Sequence, residues 1–105
     1  MIGIDLVDIT RMRMDEPFVN RVLTEEEREL LEELFSDKRR KEFLAGRFAA
    51  KEAIYKATQD IHYLHYSILA DDTGRPYVKD HPEIEISISH DGNMAIAAVM
   101  IQNLE

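Results

Sequence analysis

Residues 46–57 read "GRFAAKEAIYKA", a run of helix formers that sets Lys51 and Glu52 side by side. Adjacent side chains on a helix do not face each other, so the two cannot form a simple ion pair and each must serve a different neighbour. A second acid out of place is Asp5, a carboxylate inside the apolar stretch "MIGIDLVDI". Burying an ionised carboxylate is costly unless it is paired, hydrogen-bonded or bound to metal. Exposure at a strand edge, or an arginine answering it, is the plainer account. Two isolated acids with bases nearby are nonetheless the parts that hold Mg²⁺ on a phosphate ester. Mg²⁺ prefers oxygen ligands, typically takes one or two protein carboxylates, and leaves other positions to water and substrate phosphate. Lys51 and Arg47 would then hold the phosphate oxygens that the metal does not neutralise. Asp8 falls where the strand ends and reads as surface.

Other constellations carry less. His90 closes "IEISISH", and its parity with the isoleucines sends it inward, where a satisfied core histidine is common. "Ser89-His90-Asp91" is no catalytic triad, because consecutive strand residues point to opposite faces. The chain has four histidines and no cysteine. His62 and His65 alone supply too few ligands for zinc. Neither common phosphate-binding glycine loop is present.

The elements that must position these residues follow from the hydrophobic pattern. "IGIDLVDI" reads as a strand with Ile2, Ile4 and Leu6 on one face and Gly3, Asp5 and Val7 on the other. "LTEEERELLEELF" reads as a helix capped by Thr24, with Glu27 three residues on completing a capping box. A longer helix should run from about Asp37 to Thr58, with Phe43, Gly46, Ala50, Ala53, Ile54 and Ala57 on one side. That small-residue stripe suits close packing on a sheet, and Arg40, Arg47 and Lys51 form a basic row beside it. "HYSILA" is a weak strand, and "DDTGRPYV" a turn feeding another. "IEISISH" places Ile84, Ile86 and Ile88 inward. "DGN" signals a hairpin returning through Ala95 to Ile101. Strand, two main helices and then antiparallel strands make an α+β fold.

Composition sets the outer bounds. The chain has 105 residues and a formal net charge of −8, which disfavours non-specific nucleic-acid binding. Its length suits a single domain over 1–105. No apolar run approaches a membrane span. Asp5 and Asp8 interrupt the first apolar stretch, which also lacks a basic leader and so does not read as a signal peptide. The lack of cysteine excludes disulfides and is compatible with a cytoplasmic setting. Acids crowd "TEEERELLEEL", whereas "DKRRKEFLAGR" is locally basic; it is either a solvated face or a groove for a phosphate or an acidic partner.

The stretches "GIDLVDITRM", "RVLTEEE", "EFLAGRFAAKEAIYKA", "GRPYV" and "SISHD", in that order and spacing, resemble the holo-acyl-carrier-protein synthases. These are the small bacterial type of 4′-phosphopantetheinyl transferase, and the likeness covers nearly the whole chain. It implies transfer of the phosphopantetheine arm of coenzyme A to a serine of apo-acyl carrier protein, releasing 3′,5′-ADP. By that resemblance Asp5 and Glu52 ligate Mg²⁺, and Lys51 and His90 join them in catalysis. Arg47, Phe48, Lys51, Lys56, Pro76 and His90 line the coenzyme A site. Arg11, Arg13 and Arg21 are the candidates for docking the acidic carrier, with Phe18 or Met14 offering apolar contact. The family also implies a homotrimer with active sites between subunits; Val7, which reads as outward, and "MAIAAVMI" leave room for the interface. The chain departs from the family pattern at Tyr55, at "TQDIHYLH" after the long helix, and at Asp91. The rival readings are an acidic α+β interaction domain, and a Mg-dependent enzyme acting on another phosphate ester.

Overall fold

The computed structural model describes residues 1–102; the last three residues of the expected domain, 103–105, lie outside the described residues. Strand β1 (Ile2–Asp8) leads through a short 3₁₀ turn into helices α1 (Glu16–Val22), α2 (Glu25–Glu32) and α3 (Asp37–Thr58). Strands β2 (Ile68–Ala70), β3 (Pro76–Val78), β4 (Ile84–Asp91) and β5 (Met94–Ile101) follow. The α+β expectation therefore holds, with one helix more than expected. Among the described residues, no helix is long and apolar enough to cross a membrane.

Local chemistry accounts for the helix bounds. Thr24 and Glu27 form the reciprocal capping box that starts α2. Ser36 caps α3, and Gln59, at a left-handed φ of 68°, ends it. The additional helix, α1, begins where the Asp15 side chain accepts from the Phe18 amide, with proline in its first turn.

The main sheet has the order β1–β5–β4, antiparallel throughout, and β2–β3 forms a separate two-stranded ribbon. Helix α3 lies across one face of the main sheet. Its Ala50, Ala53, Ile54 and Ala57 join Ala97, Val99 and Ile84 in one core cluster. A second cluster, including Val22, Leu23, Leu31, Leu44 and Ala45, joins α1 and α2 to the other side of α3. The approach of α3 to β1 depends on Gly3, where any Cβ would collide with the Ala53 carbonyl.

This contact corrects one expectation. Gly3, Asp5 and Val7 form the face turned to α3, and Val7 packs against the core rather than outward. The aliphatic row is the outward one, with Ile2 69%, Ile4 53% and Leu6 60% exposed. Cross-strand pairing sets it beside Met100, Ala98 and Ile96 of β5. The outer face of β1 and β5 is thus a continuous apolar surface, larger than isolated surface residues would produce.

Candidate functional site

Asp5 and Glu52 come together. β1 turns Asp5 toward α3, and α3 turns Glu52 toward the end of β1. Both line one open cleft of about 430 Å³ with Val7, Phe48, Arg11, Arg13 and Phe18. Arg13 stacks over the Phe18 ring at 5.4 Å, and Phe18 meets Phe48 at 5.7 Å. Phe48 in turn packs edge-on to Tyr63 at 6.0 Å. Burial, followed by the charges of Glu52 and Asp5, pushes the Tyr63 phenol up to about 12. The two carboxylates therefore bear on one hydroxyl from separate elements. Asp5 Oδ1 also accepts from Lys56 Nζ at 2.9 Å, and the same ammonium donates to the Ile4 carbonyl. The lysine that answers Asp5 lies one turn of α3 beyond Glu52. Two carboxylates in an open cleft form a hard oxygen donor set, which fits Mg²⁺.

Lys51 lies elsewhere than expected. Next to Glu52 in sequence, it is turned into the interior and fully buried. Its Nζ is surrounded by Glu27 Oε1 at 2.8 Å and by the carbonyls of Val22, Tyr63 and Tyr66 at 3.0, 2.8 and 2.6 Å. An ammonium has three donors, so four oxygens leave none for a phosphate. Burial pulls this amine down from its ordinary value, while Glu27 opposes the shift. Glu27 is equally occupied: Oε1 takes the Thr24 amide and Oε2 the Ile68 amide. Its local sequence signals only the capping role, so this second task of Glu27 comes from the packing of α2 on α3.

The rest of the basic row is likewise engaged with carbonyls. Arg40 donates to the carbonyls of Leu31 and Leu34 at the end of α2. Arg47 donates to the Ile68 carbonyl of β2 and stacks over Phe43 at 4.2 Å. Burial lowers the Arg47 guanidinium from its usual value, with Glu27 opposing.

His90 turns to the helix side of the sheet, as its parity requires, but is exposed at the strand end rather than in the core. Its Nδ1 lies 3.5 Å from Glu42 Oε2. His90, Glu42, Arg39, Arg47, Phe43 and Gly46 line a groove on the β4 side of α3. This is not the Asp5 cleft. His90 is opposite Ala95, which is opposite Val7, so β5 separates the two edges. Strands stand about 4.8 Å apart, so the backbones of these edges are about 10 Å apart, and the two grooves open on either side of α3 where it crosses that face. The expected site residues thus divide between two grooves of one chain: Asp5, Glu52, Phe48 and Lys56 on one side, Arg47 and His90 on the other. Pro76 belongs to neither, opening β3 opposite Ala70 in the two-stranded ribbon.

Comparison with known proteins adds a second line of support. Residues 1–99 match the 4′-phosphopantetheinyl transferase superfamily. The chain is 44% identical to a holo-[acyl-carrier-protein] synthase of Geobacillus sp. (strain WCH70), covering 98% of this chain and 96% of that protein. The corresponding protein of Enterococcus faecalis is 41% identical, with 97% and 96% covered. Among solved structures, the fold is similar to a holo-(acyl-carrier-protein) synthase from Bacillus anthracis in complex with CoA (3′,5′-ADP). That match has a TM-score of 0.84 and 38% identity, and covers 95% of this chain and 93% of the other. The Helicobacter pylori synthase in complex with coenzyme A gives a TM-score of 0.79 at 31% identity, with 97% and 100% covered.

Proposed function

The chain belongs to the 4′-phosphopantetheinyl transferase superfamily, among the holo-[acyl-carrier-protein] synthases, and on that premise we propose how its residues divide the reaction. The reaction is Mg²⁺-dependent transfer of the 4′-phosphopantetheine arm from coenzyme A to a serine of apo-acyl carrier protein. The serine oxygen bonds to the phosphorus nearest the pantetheine, the diphosphate P–O bond on its far side breaks, and 3′,5′-ADP leaves. The serine proton is lost to a base. The observation that carries this reading is the convergence of Asp5 and Glu52 on one cleft.

Asp5 and Glu52 would hold Mg²⁺, which supplies charge neutralisation for an anionic diphosphate and a developing leaving group. The protein's own residues do the positioning, which dominates phosphoryl-type transfer. Lys56 keeps Asp5 oriented and adds a positive charge beside the cleft. Lys51 acts through structure, holding the carbonyls of Tyr63 and Tyr66 and so the segment carrying the Tyr63 ring. Arg11 and Arg13 on the rim, with exposed Arg21 nearby in sequence, give an acidic carrier a cationic approach to an acidic floor, and Phe18 gives it an apolar contact.

Arg47 and His90 open on the opposite side of α3, so one chain does not bring them to the same ligand as Asp5. A homotrimer in which the β4-side groove of one subunit meets the β1-side cleft of the next would do so. The exposed apolar face of β1 and β5 supports such an assembly. The test is incubation with apo-acyl carrier protein, coenzyme A and Mg²⁺, with the added arm read by mass spectrometry. Asp5→Ala, Glu52→Ala and chelation should each lower turnover by ~100-fold or more. Turnover that survives both substitutions would overturn the assignment.

A further inference from the structure

Immediately after α3, the segment 60–66 gathers three metal-ligating side chains that do not line the acidic cleft. Asp60, His62 and His65 each offer one ligand atom, all within 4.8 Å of one another. His62 Nδ1 lies 2.8 Å from Asp60 Oδ1, and His65 Nδ1 lies 2.9 Å from Asp60 Oδ2. The two imidazoles stack at 4.7 Å with only 29° between their planes, so both present Nδ1 to the same carboxylate. The carboxylate is held in place: Oδ1 also accepts from the His62 amide and Oδ2 from the Tyr66 hydroxyl, at 2.9 Å each. Its backbone is set by the left-handed Gln59 and by the Asp60 amide donating to Thr58 Oγ1.

We propose that Asp60, His62 and His65 form a binding site for a borderline divalent transition-metal ion such as Zn²⁺, distinct from the acidic cleft. The third ligand missing from the histidine pair is Asp60, which the fold brings back onto both rings. Imidazole nitrogen with one carboxylate oxygen suits zinc and not Mg²⁺, which favours an all-oxygen site. A tetrahedral ion bonded at about 2.0–2.2 Å spaces neighbouring ligand atoms about 3.4 Å apart, leaving a fourth position for water. With one carboxylate oxygen as ligand, the ring already on that oxygen would draw back by about half an ångström and the other ring would turn its Nδ1 from the second oxygen toward the ion, which exposed histidine side chains permit. Each neutral ring would carry its proton on Nε2, freeing Nδ1 for the metal.

The site is placed to matter. The metal-bearing segment also supplies the Tyr63 and Tyr66 carbonyls that hold Lys51, and the Tyr63 ring that packs on Phe48 beside the acidic cleft. A metal here would fix that wall without touching the reacting groups.

The test uses the full chain, freed of any polyhistidine tag and of metal, titrated with Zn²⁺ by calorimetry and with Co²⁺ by visible absorption. The expected result is one site per chain, undisturbed by excess Mg²⁺, with the intense Co²⁺ bands of low coordination and a melting temperature raised by Zn²⁺. His62→Gln and His65→Gln should each weaken binding at least ~10-fold with the circular dichroism spectrum unchanged. Asp60→Asn should do the same, but its extra hydrogen bonds make the histidine variants the cleaner comparison. Two results would overturn the proposal. One is a His62→Gln/His65→Gln double variant that binds like the parent, which would move the site to His81–Glu83 or His90–Glu42. The other is a parent chain with no saturable binding, which would leave Asp60 as a hydrogen-bond acceptor alone.

Discussion

Lys51 Nζ lies 2.8 Å from Glu27 Oε1, and neither side chain has any exposed surface. One ion pair connects α2, α3, the segment between α3 and β2 through the Tyr63 and Tyr66 carbonyls, and the start of β2 through the Ile68 amide. Removing one partner leaves a buried charge without its counter-ion, a loss of about 3–5 kcal/mol. Lys51→Met and Glu27→Met should each destabilise by that order in urea unfolding. The double variant should recover part of the loss, because no charge is then left unpaired. Equal and additive losses would show that the two residues act independently.

Gly3 sets the distance between β1 and α3, and thereby between the elements that carry Asp5 and Glu52. Gly3→Ala must push its methyl group into the Ala53 carbonyl, so α3 or β1 has to move. The expected cost is about 1–3 kcal/mol, in the range of other overpacking changes. Transfer activity should fall further than the unfolded fraction explains, since the displaced residues flank both acids. Gly46→Ala is the control. Its Cβ meets only Ile88 Cγ2, at 3.1 Å, and alanine gains helix propensity in return. Its melting temperature should change much less.

Lys51 and Gly3 also mark where local sequence patterns stop being informative. The bounds of α3 and the capping box of α2 are legible in the sequence because both depend on neighbours in the chain. Helix α1 is not, since seven residues give no sustained apolar stripe; its signal is Asp15 followed by proline. Alternation in β1 separates Ile2, Ile4 and Leu6 from Gly3, Asp5 and Val7, but alternation does not say which face another element covers. Gly3 holds that information, because a helix can approach most closely where there is no side chain. The adjacency of Lys51 and Glu52 implies that they serve different neighbours. That the neighbour of Lys51 is Glu27, 24 residues away, depends on tertiary packing that no local pattern encodes. Asp60 is the opposite case: it lies only two and five residues from His62 and His65, so the ligand set is local in sequence and emerges once the acid is counted with the two rings.

Arg11, Arg13 and Arg21 are all exposed, and the first two border the acidic cleft. If they guide an acidic carrier, Arg11→Glu and Arg21→Glu should each raise the KM for carrier protein several-fold, leaving kcat and the KM for coenzyme A nearly unchanged. The salt dependence of kcat/KM should flatten in the same variants. Arg21→Glu is the cleanest of the three, because Arg11 also lies 3.7 Å from Asp8 and Arg13 pairs with Asp15, the cap of α1. An unchanged KM in Arg11→Glu and Arg21→Glu would remove these arginines from the docking surface.

The division of the expected site residues across α3 makes a sharper demand on the proposed homotrimer. Asp5→Ala spoils the β1-side cleft, and Arg47→Ala the β4-side groove. If each active site takes one half from each of two subunits, neither homomeric variant should turn over. Mixed trimers would nonetheless contain one intact site wherever an Arg47→Ala subunit offers its acids to the groove of an Asp5→Ala neighbour. For random assortment into closed rings, six of eight arrangements carry one such site of three, so activity should return to about a quarter of the parent's. The subunits must be mixed under conditions that allow exchange, checked by native mass spectrometry. A Leu6→Glu change on the outward face of β1 should dissociate the assembly in sedimentation and abolish the recovery. Mixtures that exchange fully yet stay inactive would show that both halves of a site belong to the same chain.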